Sequence, residues 1–443
     1  MTEVLLIEPP SRKAFHARPP IALLYLAGFL QKHKVKVKIL DPTKPFNINT
    51  IKKINPKFVA ITCYTPEFEE VVGLAKSIKK ILPKSKLIVG GTHPTLIPSD
   101  FSKKIFNKII IGDGELQLLN YVKKTKIKTI EDFLPAYNLI NMDYYTKANP
   151  YAIRGCYLRS MYILATRGCP SQCTFCVAKK LREINGCIKI RKPKELIKEI
   201  KLLKNKYKID SFYFIDDLFT VSKQNVLEFC KLLKQSKLNL LWACNAKVST
   251  LDENVIKEMA NSGCIQIDFG VERGSDNALK LCNKFITIKQ VIEIFALCNK
   301  YNIRTFANFL TNLPHETKKD LNDILKLTKI IHPDIVMYNT FTPYPGTEIY
   351  ENSPNKFEKS EYILLYSGAN YINTIPNKFK FCNHNVNLAK WSIKNNKKNN
   401  HYLPIIKFHF SKKYFRTIIQ SQNKTDYLKE FLSLIQAFIF QKF

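Results

Sequence analysis

Two separate series of short apolar strands alternating with amphipathic helices place the strongest constraint on how this chain can fold. In the first series, strands are predicted at 4–7, 35–40, 58–62, 87–89 and 109–111, with helices such as 21–30 and 68–82 between them. This alternation is typical of parallel sheets, in which each crossover helix returns the chain to the starting edge. Residues 1–133 therefore predict a doubly wound, Rossmann-like sheet, whose ligands bind beyond the carboxyl ends of the strands.

The second series begins after a connector predicted at 134–159, where prolines and tyrosines follow no clear period. Six strands are predicted near 161–165, 211–215, 238–244, 265–269, 303–310 and 334–339. Six strand–helix units predict a partial (β/α)6 barrel over 160–355, with its chemistry at the carboxyl ends of the strands. Residues 356–443 predict a basic, mainly helical extension, in which 390–398 is expected to be mobile and 414–440 helical.

A loop after the first strand of this second series carries three cysteines. It reads T-R-G-C-P-S-Q-C-T-F-C, with Cys169, Cys173 and Cys176 at C-x3-C-x2-C spacing and Phe175 beside them. Three thiolates on one tight loop can hold three irons of a [4Fe–4S] cluster and leave the fourth iron open to a ligand. The alternatives are a zinc site, although no second C-x2-C pair follows, a disulfide framework, which needs an oxidising compartment, or three unrelated cysteines. The spacing and the preceding strand favour the cluster.

This loop resembles the signature of the radical S-adenosylmethionine enzymes. The resemblance implies that S-adenosylmethionine chelates the open iron and is cleaved by the reduced cluster to a 5'-deoxyadenosyl radical. It also implies that Asp216 and Asp217, which follow one strand, contact the methionyl amino group, and that Glu272, in a G-V-E-R-G-S segment, binds the ribose hydroxyls. A helix N-cap pair and a buried structural glutamate are the respective alternatives.

Two further segments resemble the family with departures. Asn245-Ala246-Lys247 resembles an N-A-R segment, but lysine lacks the planar fork of arginine, so its role as a carboxylate clamp is in doubt. The turn at 312–317 resembles G-x-P-G-E-T, but Asn312 and His315 stand in place of both glycines. T-P-Y-P-G-T at 342–347 matches one large subgroup closely.

The first series resembles the cobalamin-binding domain that precedes the radical domain in that subgroup. The matching residues are Pro9, Pro10, Thr62 to Pro66, Gly90, Gly91, His93, Gly112, Gly114 and Glu115. The glycines are expected to let a large ligand approach the backbone. The D-x-H-x-x-G motif that supplies a histidine to cobalt is absent, so the resemblance implies cobalamin bound without protein histidine. His93 is then a turn residue and His16 a surface residue; a structural domain without cofactor is the alternative.

Charge and cysteine usage bear on partners and compartment. The chain carries 70 Lys+Arg against 36 Asp+Glu, a net charge of +34. Nucleic acid, anionic membranes and acidic substrates are the functional interpretations. The lysines are scattered among abundant Asn and Ile, which favours codon bias instead, so nucleic acid is not an expected partner. The 12 cysteines fall mostly singly in apolar segments, which indicates a reducing cytoplasm. No signal peptide or membrane span is predicted; peripheral membrane contact stays open.

The sequence therefore predicts a cobalamin-dependent radical S-adenosylmethionine methyltransferase that acts on an unactivated carbon. Its expected partners are a small-molecule, lipid or peptide substrate and a reducing protein such as flavodoxin or ferredoxin. A cyclase or rearrangement enzyme of the same subgroup is one alternative. A transfer RNA methylthiotransferase is another, but such enzymes carry extra cluster cysteines near the N-terminus, where residues 1–150 hold only Cys63. A non-catalytic cobalamin or iron–sulfur sensor is the third.

Overall fold

The chain divides into two compact units, each assembled from three segments. The computed structural model describes residues 2–9, 18–40, 43, 47–149, 151–370, 377–399, 403–421, 424, 425 and 427. The first unit comprises Met1–Tyr144, Cys176–Cys187 and Thr342–Gly368; the second comprises Tyr145–Phe175, Ile188–Phe341 and Ala369–Phe443. His16 and Pro10 lie outside the described residues, and the domain boundaries inferred from sequence stay predictions.

A five-stranded parallel sheet forms the first unit. Its strands are β1 (Val4–Ile7), β2 (Val37–Ile39), β3 (Phe58–Thr62), β4 (Lys86–Gly90) and β5 (Lys108–Ile109). The helices between and after them are α1 (Ile21–Lys32), α2 (Ile48–Ile54), α3 (Phe68–Ile81), α4 (Thr92–Leu96) and α5 (Gly114–Lys123). The strand order is β2-β1-β3-β4-β5, so the order reverses between β1 and β3, where doubly wound sheets bind their ligands. The predicted doubly wound sheet is confirmed.

Six parallel strands form the main sheet of the second unit. They are β6 (Ser160–Ile163), β9 (Ser211–Phe214), β10 (Leu241–Ala246), β11 (Cys264–Glu272), β12 (Arg304–Thr311) and β13 (Ile335–Thr340), in the order β13-β12-β11-β10-β9-β6. The short antiparallel pair β7 (Thr166–Arg167) and β8 (Lys189–Ile190) flanks the cysteine loop in sequence. Each strand pairs with its neighbour in parallel. The predicted fold class, with its second parallel α/β sheet, is confirmed.

Helices follow the strands of this sheet as the sequence pattern predicts. They are α8 (Pro193–Tyr207), α9 (Lys223–Gln235), α10 (Glu253–Asn261), α11 (Asp276–Leu281), α12 (Ile288–Lys300) and α13 (Lys318–Ile331). Two of them begin with capping boxes, Thr287 with Gln290 and Thr317 with Asp320, which satisfy backbone N–H groups at the helix start. The remaining helices are α6 (Met142–Thr146), α7 (Ala178–Asn185), α14 (Glu348–Glu351), α15 (Leu388–Asn399), α16 (Leu403–His409) and α17 (Lys412–Gln420).

Residues 390–398, which the sequence predicts to be mobile, belong to the helix α15. Trp391 packs edge-on against Tyr338 of β13, with ring centroids 5.3 Å apart. Asn396 bonds to the backbone of the same tyrosine, accepting from its N–H at 2.9 Å and donating to its carbonyl at 3.3 Å. The lysines occupy the outer face of the helix, so the basic composition corresponds to a solvent-exposed face.

Of the helix predicted at 414–440, α17 covers the beginning, and most of the rest lies outside the described residues. Within the described part of the chain, no helix combines the length and the apolar character needed to cross a bilayer.

Asp216 closes β9 as a buried carboxyl rather than as a helix N-cap. The N-cap of the following helix α9 is Ser222. One carboxylate oxygen of Asp216 accepts the N–H of Ala165 at 2.8 Å, and its other oxygen has no hydrogen-bond partner among the described residues. Burial raises the pKa of this carboxyl from 3.8 to about 7, and hydrogen bonds from the backbone of Thr166 and Ala165 only partly oppose that shift.

This buried carboxyl predicts a pH dependence of stability. The folded pKa lies above the unfolded value, so the folded protein holds the proton more tightly, and the free energy of unfolding should fall as the pH rises from about 4 towards 7, by roughly 1 kcal/mol per pH unit. Asp216→Asn should flatten this fall between pH 5 and pH 7. Chemical denaturation at several pH values measures it.

Asp252→Asn is the matched control. The hydrogen bond from Lys223 lowers the pKa of Asp252, so its contribution is lost only in more acidic solution and the slope between pH 5 and pH 7 should persist. Identical slopes in the wild type and in Asp216→Asn would refute the assignment of Asp216.

Candidate active site

The cysteine loop follows β7 and turns at Gly168, whose φ of 89° lies in the left-handed region that favours glycine. Cys173 is buried, whereas Cys169 and Cys176 are half-buried. Cys169 and Cys173 belong to the second unit, and Cys176 opens the segment 176–187 of the first. All 12 cysteines lie in the described part of the chain, and none of them forms a disulfide. The three thiols of the loop are therefore available as iron ligands.

Two lysines supply positive charge to the thiol of Cys173. Burial raises its pKa, while the charges of Lys284 and Lys247 lower it. Lys247 also lies 3.2 Å, Nζ to Oγ, from Ser171 in the same loop. Lys247, which stands in place of the arginine of N-A-R, therefore contacts the cysteine loop. Cationic neighbours favour a thiolate, which is the form that binds iron.

Glu272 ends β11 in a strained conformation. Its φ of 69° is unusual for a residue other than glycine, and the register between β11 and β12 shifts at this point. Its carboxylate accepts from the ammonium of Lys284 at 3.0 Å. Both side chains lie over Gly270, where a Cβ would come within 2.2 Å of Glu272 Oε1 and 2.9 Å of Lys284 Nζ. Strain that is held by such close packing is typical of functional sites.

Lys284 was not foreseen from the sequence. It follows α11 in a segment without a recognisable motif, and its ammonium lies 5.9 Å from the ring centroid of Phe175 in the cysteine loop. The backbone N–H of Thr174 donates to the carbonyl of Cys282 in the same segment at 3.2 Å. Only the tertiary contact between these two loops could have pointed to this lysine.

The two aspartates after β9 have different surroundings. Asp216 is buried, as described above, whereas Asp217 is exposed and accepts a hydrogen bond from the backbone of Gly168 in the cysteine loop. Desolvation by the surrounding protein raises the pKa of Asp217, and the hydrogen bond from Gly168 opposes this rise. Asn245 ties the neighbouring strand ends together: its amide donates to the carbonyl of Asp216 at 2.9 Å and accepts from the hydroxyl of Tyr213 at 2.9 Å. Asp217 is the carboxylate that a ligand could reach.

The turn after β12 keeps a glycine-like backbone without glycine. Asn312 and His315 have φ values of 66° and 64°, in the region that asparagine and histidine tolerate better than most residues. Glu316, in the same turn, forms a buried ion pair with Arg273, the residue after Glu272. The two residues that replace the glycines of G-x-P-G-E-T therefore both have a left-handed backbone, which glycine adopts readily.

Glycines at the strand ends of the first unit differ in how closely protein atoms surround them. At Gly91, with φ 108°, a Cβ would meet the carbonyl oxygen of Cys63 at 2.8 Å. At Gly112, with φ 79°, it would meet the side chain of Asn185 at 2.4 Å. These two glycines are required by packing within the unit. At Gly90 and Gly114 a Cβ would make only ordinary contacts, at 3.4 Å or more.

His93 supports this edge from inside the unit. Its ring is fully buried among Phe68, Phe101 and Tyr362. Burial, opposed by the charge of Asp100, lowers its pKa to about 4, so the imidazole is neutral at pH 7. A buried ring of this kind fits the interpretation of His93 as a turn residue. Glu115 is also buried, in the first turn of α5, and Thr62 is half-buried at the end of β3.

Two protein-family models match the chain. The Radical SAM superfamily matches residues 163–328, and the B12 binding domain matches residues 13–122. The first match includes the cysteine loop, Asp217 and Glu272; the second includes the glycine-bearing strand ends. The predicted cofactors, a [4Fe–4S] cluster, S-adenosylmethionine and cobalamin, are confirmed at the level of these two families.

Relatives and solved structures agree with both matches. An uncharacterized methyltransferase of Pyrococcus horikoshii is 27% identical over 390 residues, covering 79% of this chain and 82% of the relative. The anaerobic magnesium-protoporphyrin IX monomethyl ester cyclase of Cereibacter sphaeroides is 24% identical over 400 residues, covering 81% of this chain and 63% of the relative.

Structures of the radical S-adenosylmethionine methyltransferase TsrM from Kitasatospora setae share the fold. One, with tryptophan substrate and a SAM analog bound, has a TM-score of 0.64 at 16% identity and covers 79% of this chain and 75% of its own. Another, with cobalamin and [4Fe-4S] cluster bound, has a TM-score of 0.62 at 15% identity and covers 79% and 77%. The two family matches show that the chain combines a B12 binding domain with a radical S-adenosylmethionine domain, and these solved structures share its fold.

Proposed function

We propose that this protein methylates an unactivated carbon of a small-molecule, lipid or peptide substrate. The observation that carries the proposal is that one chain combines a B12 binding domain with a Radical SAM domain. At a strand end of the Radical SAM domain, Glu272 has a strained backbone and its carboxylate is bound by Lys284. When bound, the cluster supplies the electron that cleaves S-adenosylmethionine, and cobalamin carries the methyl group. A reducing protein such as flavodoxin or ferredoxin, and a cytoplasmic location, belong to the same proposal.

The cysteine loop and three strand ends of the second unit would hold the cluster and S-adenosylmethionine. Cys169 and Cys173, together with Cys176 at the start of the next segment, are the iron ligands. Asp217, which is exposed beside the loop, would accept hydrogen bonds from the methionyl ammonium. Glu272 would accept hydrogen bonds from the ribose hydroxyls. Asp216 and Asn245 stabilise these strand ends through their hydrogen bonds. Lys247 would supply a positive charge to bind a carboxylate of the ligand.

The first unit would hold cobalamin along the carboxyl ends of β3, β4 and β5. Thr62, Gly90, Gly91, Gly112, Gly114 and Glu115 lie at these strand ends or directly after them. Because the ring of His93 is buried and engaged, cobalt is proposed to bind without a protein imidazole.

A cyclase is the second candidate function, since the chain is similar to the anaerobic cyclase. The products distinguish the two: methylation adds the mass of one CH2 group to the substrate, whereas ring closure with oxidation does not. A methylthiotransferase is disfavoured because Cys63, the only cysteine of residues 1–150, is fully buried. A sensor would have no need of the pinned Glu272.

The first prediction concerns the cluster. Cys173→Ala should lose the visible absorbance of the cluster and the reductive cleavage of S-adenosylmethionine, because three thiolates are the minimum that holds the cluster in this loop. Anaerobic reconstitution followed by absorption spectroscopy and detection of 5'-deoxyadenosine measures both.

Cys187→Ala is the matched control, because Cys187 is exposed and lies outside the loop, and this variant should retain the cluster. If Cys173→Ala cleaves S-adenosylmethionine at the wild-type rate, the cluster assignment is wrong.

The second prediction concerns Glu272. Glu272→Gln should keep the cluster but weaken S-adenosylmethionine binding by about 10- to 100-fold, the worth of a hydrogen bond to a charged group. Gly270→Ala should weaken binding in the same direction, because its Cβ would displace the Glu272 carboxylate while leaving it charged. Equilibrium binding of S-adenosylmethionine to the reconstituted protein measures both affinities.

Glu253→Gln is the control for this pair, since Glu253 forms an exposed ion pair with Lys300 in the same unit and should leave the affinity unchanged. Wild-type affinity in both Glu272→Gln and Gly270→Ala would rule out a role for this strand end in binding the cofactor.

The third prediction concerns cobalamin. Gly114→Phe should reduce cobalamin binding, because a Cβ at this position makes only ordinary contacts, whereas the ring would occupy the ligand edge of the sheet. Spectroscopic titration of the full chain with hydroxocobalamin under anaerobic conditions measures retention.

Gly73→Phe, on the exposed side of α3 where a Cβ meets nothing within 4 Å, should bind like the wild type. Equal retention by Gly114→Phe and Gly73→Phe would place cobalamin elsewhere.

A further inference from the structure

Glu316, Cys382 and His384 form a second group of potential metal ligands, built from residues outside the cysteine loop. All three side chains are buried, and one ligand atom from each lies within 4.8 Å of the other two. The group offers a carboxylate oxygen, a thiol sulfur and an imidazole nitrogen. This mixture of donors is the set that zinc binds in proteins, whereas calcium and magnesium prefer oxygen alone.

Backbone hydrogen bonds hold the segment that carries Cys382 and His384 against the turn that carries Glu316. The N–H of Asn383 donates to the carbonyl of Glu316 at 2.7 Å. The N–H of Phe381 donates to the side-chain carbonyl of Asn312 at 2.9 Å, and the Asn312 amide donates to the carbonyl of Phe379 at 3.0 Å. The three ligand side chains are therefore brought together by bonds that do not involve them. A site organised in this way costs little reorganisation when a metal binds.

Charged residues neighbour the three ligands. The guanidinium of Arg273 contacts the carboxylates of both Glu316 and Asp320, the latter at 3.8 Å, and the charge of Lys380 acts on the Cys382 thiol. Zinc binds cysteine as the thiolate, so Zn²⁺ with Cys382 would add a net charge of +1 beside the buried carboxylate of Glu316. Buried charges are retained only where they are compensated.

The hydrogen bonds define which protons must move. Val386 donates its N–H to Nδ1 of His384 at 3.3 Å, so the ring proton is on Nε2, which donates to Glu316 at 3.0 Å. The Cys382 thiol donates to the carbonyl of His384 at 3.8 Å. Zinc binding would release the thiol proton to solvent and shift the imidazole proton from Nε2 to Nδ1, at the loss of the long bond from Val386. No electron is transferred.

We propose that Glu316, Cys382 and His384 bind one zinc ion that fastens the segment 379–384 to the turn after β12. A water molecule would supply the fourth ligand of a tetrahedral zinc ion. The role is structural, because the ion joins two distant segments of the chain within the second unit. The site does not depend on the proposed methyl transfer.

The test is the zinc and iron content of the full-length holoprotein, purified with zinc in the growth medium and measured by elemental mass spectrometry. We expect about one zinc ion per chain beside the iron of the cluster. X-ray absorption at the zinc edge should show a single sulfur ligand with nitrogen and oxygen ligands. This edge is specific for zinc, so iron and cobalt in the same protein do not interfere.

Cys382→Ser and His384→Ala should each lower zinc content by roughly tenfold or more, while iron content stays at the wild-type level. Cys187→Ser and His332→Asn, at exposed positions of the chain, are the matched controls and should keep the zinc. Wild-type protein without zinc overturns the proposal, as does a zinc shell with no sulfur or with several sulfur ligands. The absorption experiment needs only the wild type, so it decides the matter even if a variant fails to fold.

Discussion

The parallel register of the six strands in the second unit is the constraint on which its candidate site depends. Residues that end neighbouring strands fall on one edge because every strand runs in the same direction. This register brings Asp217 after β9, Asn245 in β10 and Glu272 at the end of β11 to the same side of the sheet. The cysteine loop follows β6 and β7, so its backbone N–H at Gly168 meets Asp217 there.

Charge compensation then decides which conformations the loops at this edge adopt. Glu272 is strained, and Lys284 holds its carboxylate over Gly270, a position that only a residue without Cβ can occupy. The next residue, Arg273, forms a buried ion pair with Glu316 in the turn after β12. Breaking a buried pair by removing one partner is costly because the other charge is left unpaired. The two adjacent residues therefore link the ligand edge of β11 to the turn after β12 through opposite charges.

In the first unit, backbone conformation rather than charge pairing determines the turns at the ends of the strands. Gly91 and Gly112 take left-handed φ values and lie against protein atoms, so the chain can turn sharply at the ends of β4 and β5. His93 fills the space beneath as a neutral ring, since burial lowers its pKa. The carboxyl ends of β4 and β5 therefore turn through glycine backbone, and His93 is buried inside the unit.

The sequence alone was sufficient for the two parallel sheets, their strand-end motifs and the cysteine loop, because strand–helix alternation and motif spacing are local properties. It could not separate Asp216 from Asp217, since adjacent residues share a motif and only the packing against the cysteine loop buries one and exposes the other. Nor could it find Lys284, or join Glu316 to Cys382 and His384, because those contacts bridge segments that are distant in sequence. It also gave no helix at 390–398, where the lysines indicate only an exposed face; the contacts of Trp391 and Asn396 with β13 appear only in the folded chain. Local pattern determines which elements form; burial and charge pairing, which exist only in the folded chain, decide what each side chain does.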